Sequence, residues 1–475
     1  MGESGFLLEV SSFINQFIVR TSKIMERESW KSRLGFVFAA VGSAVGLANI
    51  WKFPYIVGQN GGAAFIAVYL ICLLLIGFPV LVAEIMLGRK TRKNPYGALS
   101  QVGSGPMSKI AGGMILLTGF VVSSFYSVVA GWILGYVAEA ALGNLSYFGD
   151  LDASSRHFSG LVGSAWWTLS FHALFMFICV IVLSGGVRKG IEKGTTYLMP
   201  ILMVVLVGLV IKGLSLPNAS EGLRFLLSPN WSLLTPAAII TALGHSFFTL
   251  SLGQGTMITY GSYLPEDENI PKSCLPIALL DTLVSLMMAV AVFTIAFSAG
   301  MEPDAGPALI FHTLPYVFGQ IPGGYLAAIF FFLLVVLAAL TSEISAMEPM
   351  IAYLSDEKGW ARKKAVCVTG LFAFLFGIPS ALSMGLLSEY TLFGMTFLEA
   401  ADFLCTSVLI PIGGFVAVVT IGWGWGKEIA LEHLKKGASD LFQRYGWLDN
   451  YFWFCFKYSA PFLIVFVFLQ ALGVL

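Results

Sequence analysis

Two short stretches place unusual chemistry inside apolar runs. Residues 42–54 read GSAVGLANIWKFP, with Gly42, Gly46, Asn49, Lys52 and Pro54; residues 249–257 read TLSLGQGTM, with Thr249, Ser251, Gly253, Gln254, Gly255 and Thr256. Glycine and proline weaken helices. A helix broken in hydrocarbon leaves backbone N–H and C=O groups without partners. Freed carbonyls can bind cations, and freed N–H groups at a half-helix start can bind an anion. A third feature, Asp281 in ALLDTLVSL, puts an acid in an apolar run. That costs roughly 2.5–3.5 kcal/mol on insertion scales and marks a functional position by default. This is chemistry for holding small ions and a small solute. The five histidines are scattered and no nucleophile–base or metal-binding set is apparent, so the chain is not read as an enzyme. The six cysteines (72, 179, 274, 367, 405 and 455) lack a CxxC pattern and read as small packing hydrophobes.

The elements that must position these residues are membrane helices. The chain has 475 residues, is 57% hydrophobic and 11% charged, and has a mean hydropathy of +0.83. Apolar runs of about 20 residues, each enough to cross about 30 Å of hydrocarbon, recur along it. Eleven spans are expected, at 34–57, 63–87, 110–140, 163–185, 196–215, 234–262, 273–299, 320–354, 365–384, 392–422 and 457–474. Of the 27 Lys and Arg, all but Lys52, Arg156, Lys212 and Arg224 fall on one side of this arrangement. The positive-inside rule then puts the N-terminus in the cytoplasm and the C-terminus outside.

Residues 1–30 read as a cytoplasmic arm, in which FLLEVSSFINQFIVR (6–20) is either an interfacial amphipathic helix or disordered. Residues 31–475 read as a single transmembrane domain, with a polar outside segment at 142–162 and a short surface helix within 423–456. The net charge of zero gives no reason to expect a nucleic-acid partner; the lipid bilayer is the expected surrounding, and oligomeric state is not legible. The breaks fall in spans one and six, five helices apart, the spacing of two inverted five-helix repeats with a binding site between them.

RLGFVFAAVGSAVGLANIWKFPY, NGGAAF, FFTLSLGQG, ITYGSY and LTSEISAMEPMIAYLSDE resemble the neurotransmitter:sodium symporter family, most closely its bacterial amino-acid transporters. The likeness runs from Arg27 to the chain end, with long motifs in the family's order. Paired broken helices are a property of that family, so the repeat inference is not independent of the resemblance. It implies an all-α, leucine-transporter-like fold, here with eleven spans where the family usually has twelve.

The resemblance also implies two sodium ions. One would use the Ala44 carbonyl, the Asn49 amide oxygen, Thr249 and Asp281. The other would use the carbonyls of Gly42, Val45 and Ala338 with the hydroxyls of Thr341 and Ser342; Ala338, Thr341 and Ser342 share a helix face by their spacing. The bland reading of these two hydroxyls is a bond back to their own helix. Where Asp281 stands, the family more often has Asn, and its chloride-requiring members balance the missing charge near a Ser four residues on, here Ser285. Because Asp281 already carries that charge, chloride is not expected to be required.

Monoamine carriers of the family place Asp where this chain has Gly46. Without that acid, Ala44 and Gly46 are implied to border the solute, and the N–H groups around Leu47 and Ala48, with Tyr126, to receive a carboxylate. An amine would sit on carbonyls of Phe248, Thr249 and Ser251, and a side chain against Val122, Phe248, Gln254, Ser342 and Ala346. The implied cargo is a neutral α-amino acid, imported with sodium by alternating access. The implied outer gate is Lys52 with Asp402 above Tyr126 and Phe248; the inner gate is Arg27 with Asp356, plus Trp30, Tyr263 and Glu348. Glu343, about 200° round an ideal helix from Thr341, and His245 fall outside these sets. A channel would need a continuous polar pore rather than a cluster. An amino-acid-sensing receptor with the same fold is the serious alternative.

Overall fold

In a computed structural model the chain is described over residues 28–103, 105–145, 150–298, 300 and 309–471. The expected interfacial segment 6–20 and Arg27 lie outside the described residues. Helices dominate; the described residues contain only two isolated bridges, Gly62 with Pro229 and Leu392 with Met395. Helices α1 (Arg33–Ala44) and α2 (Ala48–Gln59) form one pair bent by 55°. They are followed by α3 (Ala63–Thr91), α4 (Pro106–Ala141), α5 (Ala165–Ser184) and α6 (Val187–Leu214). Past a short helix at Ala219–Leu227, two more short helices flank the second break, α7 (Pro236–Phe248) and α8 (Thr256–Ser262). Five more complete the order: α9 (Ile270–Ser298), α10 (Gly324–Asp356), α11 (Arg362–Leu382), α12 (Phe397–Lys435) and α13 (Trp447–Gln470).

The count differs from the expected eleven. Among the described residues nine helices are long and apolar enough to span a membrane, or ten if α1 and α2 count as one. The difference lies at 234–262, where the backbone leaves the helix so completely that two short pieces remain. The last span also starts ten residues before the expected 457, because Trp447–Phe454 continues into it as helix. The segment 423–456 contains two short helices, Gly426–Lys435 and Ser439–Arg444. A further helix, Leu151–Gly163, fills much of the expected outside segment.

Local chemistry explains where the central helices begin and end. Ser32 caps α1 by accepting from Gly35 N at 3.0 Å. Glu192 adds a second cap from α6: its carboxylate accepts from the backbone of Lys31 at 2.7 Å and of Ser32 at 3.1 Å. One acid thus covers N–H groups at and just before a helix start, where positive dipole and orphan donors coincide. α1 stops as Val45 turns extended (ψ 100°). α7 stops at Phe248, and Ser251, Gly253 and Gly255 then take positive φ of 53°, 78° and 83° before α8 begins. Two of these three positions are glycine, for which that region carries no Cβ penalty.

α8 is held against α3 by backbone approach. A Cβ at Gly88 would run into the Ile258 carbonyl, and one at Gly261 into the Ile85 carbonyl. Small residues permit such close contact between membrane helices. Gly88→Val is expected to cost about 1–3 kcal/mol, the range for overpacking, read as a lower midpoint of thermal unfolding in detergent. Gly113→Val, where a Cβ meets nothing within 4 Å, should leave the midpoint unchanged; equal midpoints for both variants would refute this packing argument.

Candidate functional site

The two breaks meet at Asp281 of α9, which is fully buried. The Asn49 amide nitrogen donates to Asp281 Oδ1 at 2.6 Å and to Ser285 Oγ at 2.8 Å. Thr249 Oγ1 donates to the same carboxylate, at 3.0 Å from Oδ2 and 3.1 Å from Oδ1. Ser285 Oγ in turn donates to the Asp281 carbonyl at 3.1 Å. Asn49, Thr249 and Asp281 are therefore brought together, as expected of one ion site, and Ala44 lines the adjoining cavity. One detail differs. The Asn49 amide oxygen accepts from Gly46 N at 2.9 Å and so faces away from the acid. A carboxylate only accepts, so the amide has to offer it N–H.

The second set gathers five residues around the end of α1. Ser342 Oγ reaches across from α10 to the carbonyls of Gly42 at 3.3 Å, Ser43 at 3.1 Å and Val45 at 3.2 Å. Thr341 Oγ1 bonds back to its own helix, at 3.0 Å from the Ala338 carbonyl and 3.2 Å from that of Leu337. The bland reading thus holds for Thr341 and fails for Ser342. Thr341 still lies against the break, because a Cβ on Gly42 would meet its side chain at 3.0 Å. Carbonyls and hydroxyls without full charge converge here on the α1 C-terminus, the negative end of a helix dipole.

Between these sets is a cavity of about 50 Å³. Of the twelve residues expected to meet a solute, eleven line it: Ala44, Gly46, Leu47, Ala48, Val122, Tyr126, Phe248, Ser251, Gln254, Ser342 and Ala346. Thr249 does not, and its hydroxyl is turned to Asp281. Leu47 N donates to the Tyr126 hydroxyl at 3.3 Å. Ser43, Leu252 and Ile410 also line the cavity and were not anticipated.

Glu343 is buried on the far side of α10, toward Ser123 and Cys179. The His245 ring sits 5.4 Å from that of Phe53 and 5.6 Å from that of Tyr69.

The outer gate differs from expectation in one contact. Lys52 and Asp402 form no ion pair among the described residues; Lys52 Nζ lies 5.1 Å from the centroid of the Phe248 ring. On the other side Trp30 is buried, with its indole N–H donating to the Tyr260 carbonyl at 3.0 Å. Tyr263 donates to Glu348 Oε1 at 2.7 Å. Asp356 Oδ2 accepts from Asn94 at 3.2 Å, while Arg27, its expected partner, lies outside the described residues. The strongest contact here was not anticipated. Arg362 of α11 grips Glu348 with two parallel bonds of 2.9 and 2.8 Å.

A family model described as "Sodium:neurotransmitter symporter family" matches residues 27–150 and 151–474. The chain belongs to the sodium:neurotransmitter symporter family. It is therefore a secondary transporter and not an enzyme. It is 40% identical over 447 residues to YhdH, an uncharacterized sodium-dependent transporter of Bacillus subtilis, covering 94% of this chain and 98% of that one. It is 32% identical over 463 residues to an uncharacterized sodium-dependent transporter of Haemophilus influenzae, covering 95% and 100%. Among solved structures, MhsT in complex with L-phenylalanine matches at 40% identity with a TM-score of 0.85, covering 94% of this chain and all of that one.

Another unanticipated residue supports the break between α7 and α8 from outside it. Glu84 of α3 is fully buried, and its Oε1 accepts from Gly253 N at 2.7 Å. It sits in the apolar run LVAEIM, so the test that marked Asp281 would have marked it too. Arg362 carried no such signal, because it reads as one charge in the loop run RKK. Removing one partner of a buried ion pair costs about 3–5 kcal/mol, because the other charge is stranded. Arg362→Ala is therefore expected to lower the melting temperature more than Arg362→Ala combined with Glu348→Ala, which leaves no buried charge stranded. A double variant less stable than the single one would refute this account of the pair.

Proposed function

We propose that this transporter imports neutral α-amino acids together with two sodium ions, by alternating access, without requiring chloride. In this reading the broken segment 236–262 counts as one span, giving eleven in two inverted five-helix repeats, in a bacterial inner membrane with the N-terminus inside. The observation that carries the substrate class is at Gly46. No acid projects into the cavity from the first break, and the Leu47 N–H is aimed at the Tyr126 hydroxyl. A carboxylate bound there would take both donors, the N–H and the phenol. The amine would meet the carbonyl-rich end of α7 at Phe248, Thr249 and Ser251. The likeness to MhsT, solved with L-phenylalanine, supports an α-amino acid.

Sodium is the co-substrate, and the donor sets suit it. Asp281 supplies the one full negative charge of the first set; the second offers only neutral oxygens, which suits a monovalent ion that must also leave. Sodium in the second set would tie α1 to α10. Lys52, Asp402 and Phe248 would close the outer side over bound solute; Arg27, Trp30, Tyr263, Glu348 and Asp356 would hold the inner side. Ser285 is already engaged with Asn49 and with the Asp281 carbonyl, which supports a site balanced by Asp281 rather than by chloride.

The decisive experiment is sodium-driven accumulation of a panel of amino acids in proteoliposomes; saturable binding with no accumulation would favour the sensing receptor. In the same assay Asp281→Asn should lose most uptake in chloride-free buffer and regain part of it with chloride. Wild-type uptake that rises several-fold with chloride would defeat the charge argument.

A second test addresses the carboxylate. A Cβ on Gly46 would already meet Ser342 Oγ at 2.7 Å and Tyr126 OH at 3.0 Å, so Gly46→Asp needs Gly46→Asn as its steric control. Two like charges 4 Å apart repel by roughly 4 kcal/mol at an effective dielectric of 20. Asp should therefore weaken amino-acid binding by a further several-hundredfold beyond Asn, measured by sodium-dependent thermal shift. Decarboxylated amines should not show that extra loss; if they do, the carboxylate assignment is wrong.

A further inference from the structure

The cavity between the breaks is small, and a much larger one lies on the outer surface of the bundle. It is a groove of about 590 Å³ between α12 and α13, walled by Phe415, Val419, Phe454 and Phe462. These walls face outward, where lipid surrounds the protein; Phe462 leaves 63% of its surface uncovered. Lys457 stands at one end of the groove. Its ammonium is ringed by aromatics, at 5.3 Å from the centroid of Trp423, 5.1 Å from Trp453 and 5.7 Å from Tyr458. The Lys457 carbonyl accepts from the Trp423 indole N–H at 3.1 Å, which fixes the two helices at this level.

That level is a membrane interface. Trp423 comes just before Gly426, where φ turns to 78° and the sequence becomes the polar run GKEIALEHLKKG. Trp and Tyr gather at such boundaries. No carboxylate among the described residues forms an ion pair with Lys457, although Lys435 and Lys436 nearby in sequence are paired with Asp449 and Glu266. The result is an unpaired cation at headgroup depth, held over an apolar groove that runs into the hydrocarbon.

We propose that this groove binds an anionic glycerophospholipid, with its phosphate on Lys457 and one acyl chain along Phe415, Val419 and Phe462. A phospholipid supplies both requirements at the right separation: a negative group at the interface and a hydrocarbon chain directly below it. Basic pockets between membrane helices on the Lys- and Arg-rich side are suited to such headgroups. The aromatic ring of contacts orients the ammonium by cation–π attraction without neutralising it. A second copy of this chain would need to bring an acid to the same depth beside an apolar helix.

Native mass spectrometry of the delipidated full chain tests this by titrating phosphatidylglycerol and phosphatidylcholine with matched acyl chains. Wild type should prefer phosphatidylglycerol. Lys457→Gln should weaken phosphatidylglycerol binding about fivefold, the worth of one cationic side chain at an anionic surface, and phosphatidylcholine binding less, because choline already offsets the charge of its phosphate. Lys457→Arg should keep the preference, and Val419→Trp, which fills the groove, should weaken both lipids. Lys427→Gln, at an exposed lysine on the same side, should match wild type. Equal phosphatidylglycerol binding by wild type and Lys457→Gln, or an equal loss in Lys427→Gln, overturns the proposal. So does a dimer that forms without lipid and is broken by Val419→Trp.

Discussion

A backbone that leaves its helix inside hydrocarbon has to find a partner for every N–H and C=O it releases. The centre of this protein is built around that requirement. Side chains from neighbouring helices meet the freed groups: Glu84 takes the Gly253 N–H, Ser251 donates to the Ser43 carbonyl at 2.8 Å, and Ser342 spans three carbonyls of the first break. Asn49 closes its own break by accepting from Gly46. The same atoms are those proposed to meet ions and solute, so stability of the broken segments and recognition draw on one set of oxygens and nitrogens. A polar group in this region cannot be changed for function alone.

The alternating access proposed for this protein would add a second constraint, since the two ends of the molecule are not equally secured. At the Trp30 end, Arg362, Glu348, Tyr263 and Trp30 link α11, α10, α8 and the segment before α1 through hydrogen bonds. At the Lys52 end, Lys52 rests on the Phe248 ring and forms no ion pair with Asp402 among the described residues. A fork of two charge-assisted bonds in a buried place is directional and strong. An ammonium over a ring is softer and leaves the cation free to choose another partner. The described arrangement therefore holds the Trp30 end firmly and the Lys52 end loosely.

Much of this was readable from residue types. Glycine, asparagine, glutamine and an acid in apolar runs stand out against hydrocarbon, so both breaks and Asp281 could be located without coordinates. What stayed hidden depends on helices far apart in sequence. Arg362 is a plain loop charge until α11 is packed beside Glu348, and the Thr341 hydroxyl has two competing acceptors whose outcome packing decides. The number of long apolar helices among the described residues falls short of eleven for a related reason: the break within 234–262 leaves neither half long enough to count as a span by itself. Asn49 was expected to offer its oxygen to an ion, but orientation of an amide follows its whole hydrogen-bonding neighbourhood.

The size of the central cavity has a consequence for how strongly any cargo can bind. About 50 Å³ holds a few waters, against roughly 300 Å³ at the lower end of ordinary ligand pockets. A solute larger than a few waters can enter only a more expanded form of the site, and that form is a fraction of the ensemble. Apparent affinity is the intrinsic affinity reduced by that fraction. An ion that favours the expanded form raises the fraction before any cargo arrives. Coupling between ion and cargo can then arise from shared preference for one conformation, even where the two never touch.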